Sequence, residues 1–170
     1  NEVEKICEDI DAFATITLGQ RHILFEMGET ELICRRLEGD FLDYKNAIPR
    51  RNPISVTVDT KAMLESLDRV SVVISEKLKS PVRCIFEQDR VLLSAKTANG
   101  DAKDVCRIDG DGQGLEIGFN NRYLMDALRF APADELKLEL NTGISPAILV
   151  PTDGEESFLY MVLPVRLKAQ

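Results

Sequence analysis

The sequence predicts an α+β fold built from a repeated strand–helix–three-strand unit, with the helices on one face of antiparallel sheets. Three observations predict it. Short runs alternate apolar and polar residues, as half-buried strands do. Two stretches place apolar residues three and four apart, the spacing of one helix face. The order of these elements then occurs twice in succession, and internal repetition of this kind is a signature of duplicated structural units.

The first full unit begins at Ile54-Ser55-Val56-Thr57-Val58, an alternating strand. A helix follows with Met63, Leu64, Leu67, Val70 and Ile74 on its apolar face. After the Ser80-Pro81 break come strands at Val82 to Glu87, Val91 to Lys96 and Asp104 to Ile108. The second unit opens with Leu115-Glu116-Ile117-Gly118-Phe119, and Asn120 or Asn121 offers an N-cap side chain. Its helix carries Leu124, Ala127, Leu128 and Ala131 inward and stops at Pro132. Three strands complete it, at Glu135 to Leu140, Ala147 to Pro151 and Phe158 to Val165.

The residues before Ile54 resemble the same unit without its first strand. Glu2 to Asp9 has the look of a helix end, followed by strands at Phe13 to Leu18, His22 to Met27 and Glu31 to Leu37. Turns are expected at Gly19-Gln20 and Gly28-Glu29. The opening Asn1-Glu2-Val3-Glu4-Lys5 is neither a signal peptide nor a start methionine, and reads as a cut end within a longer protein.

Composition narrows the function classes. The 170 residues are 44% hydrophobic, and a chain this long buries roughly 70% of its unfolded surface. No apolar run approaches the roughly 20 residues of a membrane helix. A net charge of −8 argues against a protein that coats nucleic acid with its whole surface, but not against one basic face. Cys7, Cys34, Cys84 and Cys106 share no metal-ligand spacing, and His22 is the only histidine, so no metal site and no cofactor is expected. Isolated cysteines in apolar strands are expected as small core residues in a reducing cytosol.

Asp109-Gly110-Asp111-Gly112-Gln113-Gly114 matches a calcium loop at its first, third, fifth and sixth positions, but position twelve is Asn120 rather than a bidentate Glu. A glycine-rich hairpin is the preferred reading. Asp101 and Asp104 are expected to be solvated in a polar loop. No nucleophile elbow, Cys/His pair or Walker sequence occurs, so catalysis is not indicated. A metal-dependent hydrolase using the Asp109–Asp111 loop stands as the alternative from another class, and a peptide-binding scaffold without DNA function as a third.

Two features invite a binding reading. Opposite its apolar stripe the first helix carries Lys61, Glu65 and Arg69, and the second carries Arg122, Asp126 and Arg129. Charge pairs four apart on a solvated face account for this pattern on spacing alone. The second feature is the apolar terminal run from Phe158 to Leu167. Pro164 has no N–H for a ladder, so the strand interior is expected to end there, leaving Val165, Arg166 and Leu167 along an edge.

Several stretches resemble the bacterial sliding clamp family, the beta subunit of DNA polymerase III. They are Arg36-Leu37-Glu38-Gly39-Asp40-Phe41-Leu42-Asp43-Tyr44, Ser75-Glu76-Lys77, Leu115-Glu116-Ile117-Gly118-Phe119-Asn120 with Tyr123, and Leu163-Pro164-Val165-Arg166-Leu167. The resemblance implies the DNA-clamp fold, with residues 1–52 the later part of a second clamp domain and 53–170 a complete third domain. It implies a non-catalytic, cytoplasmic processivity factor of DNA replication that encircles duplex DNA as a head-to-tail homodimer.

By the same resemblance Lys61, Arg69, Arg122 and Arg129 face the DNA backbone. A pocket for short linear peptides from the replicative polymerase, the clamp loader and repair proteins matches Leu42, Asn46, Ala47, Asn120, Tyr123, Met161, Leu163, Pro164, Val165 and Arg166. The family often has proline where this chain has Leu42. Val72, Val73 and Ile74, with the strand after Pro81, are implied at the subunit interface.

Overall fold

The computed structural model of the chain describes residues 2–7, 13–49, 51–74, 80–155 and 157–167. The Ser75-Glu76-Lys77 stretch and the side chain of Cys7 lie outside the described residues. The chain divides into two compact units, Asn1–Asp43 and Tyr44–Gln170. The residues between Tyr44 and Pro53 belong with the second unit, where the Asn141 side-chain amide donates to the Arg51 carbonyl.

The first unit holds helix α1 (Glu2–Cys7) and a three-stranded antiparallel sheet of β1 (Thr15–Leu18), β2 (His22–Met27) and β3 (Thr30–Arg35) in that order. The turns fall at Gly19-Gln20 and Gly28-Glu29. Register sets Ile16 beside Phe25 and Leu32, and Leu18 beside Ile23 and Cys34, so one face of the sheet is apolar.

The second unit contains the short helix α2 (Tyr44–Ala47), then β4 (Ile54–Asp59) and α3 (Thr60–Ser71), then β5 (Val82–Thr97) and β6 (Gly100–Phe119). Helix α4 (Asn121–Phe130) follows, and β7 (Glu135–Leu140), β8 (Ala147–Pro151) and β9 (Tyr160–Val162) complete it. The strands form one antiparallel sheet in the order β5-β6-β4-β7-β8-β9. Met63, Leu67 and Val70 of α3 and Leu124 and Leu128 of α4 are buried against Val56, Val58, Phe86 and Phe119. Ile74 lies beyond the end of α3, in a turn closed by its own amide on the Ser71 carbonyl.

Both helices begin as their sequences require. Asp59 accepts the Ala62 amide at 2.7 Å and Asn120 the Arg122 amide at 3.0 Å, each satisfying one of the donors a helix start leaves unpaired. Asn120 rather than Asn121 is therefore the cap. The end of α4 is held as well: the Tyr160 hydroxyl donates to the Phe130 carbonyl at 2.8 Å.

The strands after α3 differ from expectation. Val82 to Lys96 is one strand, not two, and Asp104 to Phe119 is also one. In β5 the buried positions are Val82, Cys84 and Phe86, then Val91, Leu93 and Ala95, so the inward set changes parity across Glu87 to Arg90. Register shifts at Phe86/Gln88 and Gln88/Arg90 absorb the change. A change of parity looks like a strand break in sequence.

The glycine-rich segment is not a hairpin either; it is the bulged middle of β6, still paired to β5 through Asp111 opposite Gln88 and reaching β4 on its other side through Asp109 opposite Thr57. Glycine is needed at 112 because a Cβ there would collide with the Phe86 Cβ and carbonyl group. Asp101 and Asp104 consequently lie in a strand and not in a polar loop.

The terminal run is shorter as a strand than its apolar length suggests. Only Tyr160–Val162 pairs, with β8, and the chain then crosses to the end of β6. Pro164 sits opposite Phe119, and the Val165 amide donates to the Gly118 carbonyl at 2.7 Å. A Cβ on Gly118 would meet the Val165 carbonyl oxygen and the Leu167 side chain, both at 2.7 Å.

Gly112→Ala forces backbone or Phe86 to move, and is expected to destabilise the fold by about 2–4 kcal/mol. Urea denaturation followed by circular dichroism measures this, and a change within 0.5 kcal/mol would show that β6 relaxes freely there.

Candidate functional site

Two surfaces of the second unit collect the residues singled out in the sequence. The first is the outer face of α3 and α4. These helices pack against one another, and the Thr60 amide and hydroxyl donate to the Asp134 and Ala133 carbonyls, both at 2.8 Å. This ties the start of α3 to the loop after α4. Lys61 and Arg129 line the open groove that results, about 490 Å³ in volume, with Leu64 and Leu128 in its wall.

Lys61, Arg69, Arg122 and Arg129 are all exposed, but their charges are not equally available. Lys61 makes no ion pair among the described residues. Arg122 and Arg129 stand 3.8 and 3.7 Å from the carboxylate of Asp126, close enough for attraction but beyond a hydrogen bond. Arg69 is committed: its Nε donates to Asp104 Oδ2 at 2.7 Å and its Nη2 to Ser66 Oγ at 3.0 Å. The Lys61–Glu65–Arg69 ladder expected from spacing is not formed, because a carboxylate from β6 reaches Arg69 instead.

Asp104 shows the competing influences directly. Partial burial favours its neutral form, but the Val105 amide and the side chains of Arg69 and Ser66 outweigh that and hold its pKa below the ordinary carboxylate value. Burial pushes the Cys84 and Cys106 thiols upward, so both behave as core residues rather than nucleophiles. Cys34 is half-buried. Asp111 is turned toward its own loop, its Oδ1 accepting the Gln113 amide at 2.8 Å.

The second surface lies where β6 hands over to α4. Pro164 crosses beside Phe119, so Asn120 follows directly after the crossing point and Tyr123 stands on the first turn of α4. Tyr123 is 63% exposed and Leu163 62%. Val162, just before Leu163, is buried and anchors the run. Met161, Pro164 and Val165 are half-buried and Arg166 is exposed.

Asn46 and Ala47 are exposed on α2. Leu42 is exposed in the first unit. Of the residues at 72–74, Val72 is exposed, whereas Val73 and Ile74 pack against the core and the Val73 carbonyl accepts the Thr97 hydroxyl at 3.0 Å. Strand β5, which follows, is an edge of the six-stranded sheet.

Among the described residues no three His, Cys, Asp or Glu side chains are grouped to hold a metal ion. No described helix is long and apolar enough to cross a membrane.

This architecture matches known proteins. The sequence model of the DNA polymerase III beta subunit, C-terminal domain, aligns with residues 45–166. The chain belongs to the DNA polymerase III beta subunit family. A beta sliding clamp of Synechocystis is 32% identical over 90% of this chain and 39% of its own length. One from Pseudomonas putida is 29% identical over 98% of this chain and 45% of its own.

Among solved structures, the sliding clamp of Caulobacter crescentus superposes with a TM-score of 0.83 at 25% identity, covering 98% of this chain and 44% of that one. A Bartonella birtlesii sliding clamp bound to griselimycin gives 0.81 at 28% identity, over 96% and 44%. The chain thus spans less than half the length of these beta subunit relatives.

Sequence reasoning located both helical faces and the terminal run. It missed Asp104 as the holder of Arg69, since nothing in the spacing links residues on different elements. Gly118 is the sequence signal for the crossing, since glycine inside a strand marks a close backbone approach.

Because the Asp104 carboxylate is depressed in the native state, its stabilisation is present above its ordinary value of 3.8 and lost as the pH falls through the native value. Asp104→Asn is expected to flatten that acid limb in thermal melts from pH 6 to about 2. An unchanged acid limb would remove Asp104 from the account.

Proposed function

We propose that this chain is the later part of the second domain and the whole third domain of a replication clamp, a non-catalytic processivity factor. In full-length form the protein encircles duplex DNA as a head-to-tail dimer in the cytoplasm. The observation that carries this reading is the pair of packed helices presenting Lys61, Arg122 and Arg129 outward, in a chain of the beta subunit family. Three available cations on two packed helices suit sequence-independent contact with phosphates, which is weak, salt-sensitive and compatible with sliding. A net charge of −8 confines attraction for nucleic acid to locally basic surfaces such as this one.

The terminal crossing supports a peptide site. Leu163 and Tyr123 offer exposed apolar surface, with Asn120, Pro164 and Val165 half-buried beside them on a hydrogen-bonded backbone. Met161 and Leu163 are flexible side chains suited to several partners. Asn46 and Ala47 of α2 belong to the site in this reading, and the partners are short linear peptides of the replicative polymerase, clamp loader and repair proteins. The exposed Val72 and the long free edge of β5 support a subunit interface there, with Val73 and Ile74 shaping its base.

The topological reading is tested by loading full-length protein onto circular and linear duplexes. Retention on circles with loss from linear ends is expected, and equal retention would sink it. In the same protein, Leu163→Asp is expected to weaken an apolar linear peptide by at least tenfold in fluorescence anisotropy, because a carboxylate replaces a buried apolar contact. Unchanged affinity would refute the placement of the site.

A further inference from the structure

The three-stranded sheet of the first unit is electrically polarised. Glu26, Glu29 and Glu31 cluster about the β2–β3 turn. At the other end, Arg21 precedes β2, which begins at His22, and Arg36 follows β3, which ends at Arg35, with His22 paired in register to Arg35. This basic end is concave: Gln20, Arg21, Arg35, Arg36, Glu38 and Gly39 are among the residues lining a groove of about 410 Å³.

The groove is built by its own backbone. The Arg36 amide donates to the Arg21 carbonyl at 2.8 Å. The Arg36 guanidinium spans the β1–β2 turn, its Nη1 lying 3.0 Å from the Gly19 carbonyl oxygen and 3.4 Å from that of Gln20. One edge of this fork is thereby held, leaving its other N–H groups to point elsewhere. Arg35 pairs with Glu38 at 3.3 Å, an exposed ion pair that is easily exchanged. Arg21 has no side-chain partner among the described residues.

We propose that Arg21, Arg35 and Arg36 form a binding site for a phosphate group, of the kind carried on a nucleic-acid backbone. Three arginines lining one groove suit a tetrahedral oxyanion, since each planar guanidinium fork can donate two parallel hydrogen bonds. Their concentration in a chain of net charge −8 leaves this end one of few surfaces where an anion is attracted. Glu38 is the resident competitor. The site lies in the first unit and does not depend on the helix face of the second.

The test uses the whole chain with two probes, inorganic phosphate and a short duplex, in low salt. Arg21→Glu touches no described side-chain contact, so thermal stability is expected to hold while phosphate binding falls by about tenfold. Glu38→Gln frees Arg35 and is expected to tighten phosphate several-fold.

If Arg21→Glu also weakens the duplex and lowers its salt slope by about one, the phosphate is that of a nucleic-acid backbone. If only inorganic phosphate weakens, a free phosphate is the ligand. Both results uphold the site. Phosphate binding unchanged in Arg21→Glu and Glu38→Gln would overturn it. Lys61→Glu serves as the independent arm: it should weaken the duplex but not inorganic phosphate, and its failure would count against the helix face alone.

Discussion

The second unit depends on how closely other chain segments approach the backbone of β6. This strand pairs with β5 along its length, reaches β4 at its bulged middle, and receives the terminal run at its end. Such approaches require that no side chain intervene, and glycine stands at 112 and 118 of β6 and at 143 against the Glu116 carbonyl. At the register shifts β6 carries extra residues opposite β5, and it is there that it also reaches β4.

Both candidate surfaces follow from this arrangement. The end of β6 delivers Asn120 to the start of α4, and the terminal run crosses at the same place, so the cap of a helix and an exposed apolar segment become neighbours. The helix faces are set by the opposite requirement. Burying Met63, Leu67, Leu124 and Leu128 against the sheet leaves the basic positions no direction but outward. Position alone does not make a cation available, however. Asp104, delivered by β6, neutralises Arg69, while Lys61 keeps its charge.

Much of this was legible in residue order. The strands at Ile54–Asp59, Glu135–Leu140 and Ala147–Pro151 and the two helices have clear periodicity and clear caps, so local chemistry sufficed. The long β5–β6 hairpin was misjudged because a bulge breaks alternation as a loop does, and glycine serves both. The terminal run was overextended because apolar character marks burial, not hydrogen bonding: Val162 is buried as a strand residue, whereas Pro164 and Val165 are half-buried against β6.

By itself, then, the sequence determined the repeated unit, the inward faces of its helices, the outward position of four cations and the importance of the terminal run. These are consequences of periodicity and of backbone limits such as the missing proline N–H, and they act over a few residues. The tertiary structure alone decided which cations are spent on carboxylates, where the last residues dock, and that Arg21, Arg35 and Arg36 share one groove. Those outcomes depend on strand register and on side chains far apart in sequence, and distance along a chain does not encode them.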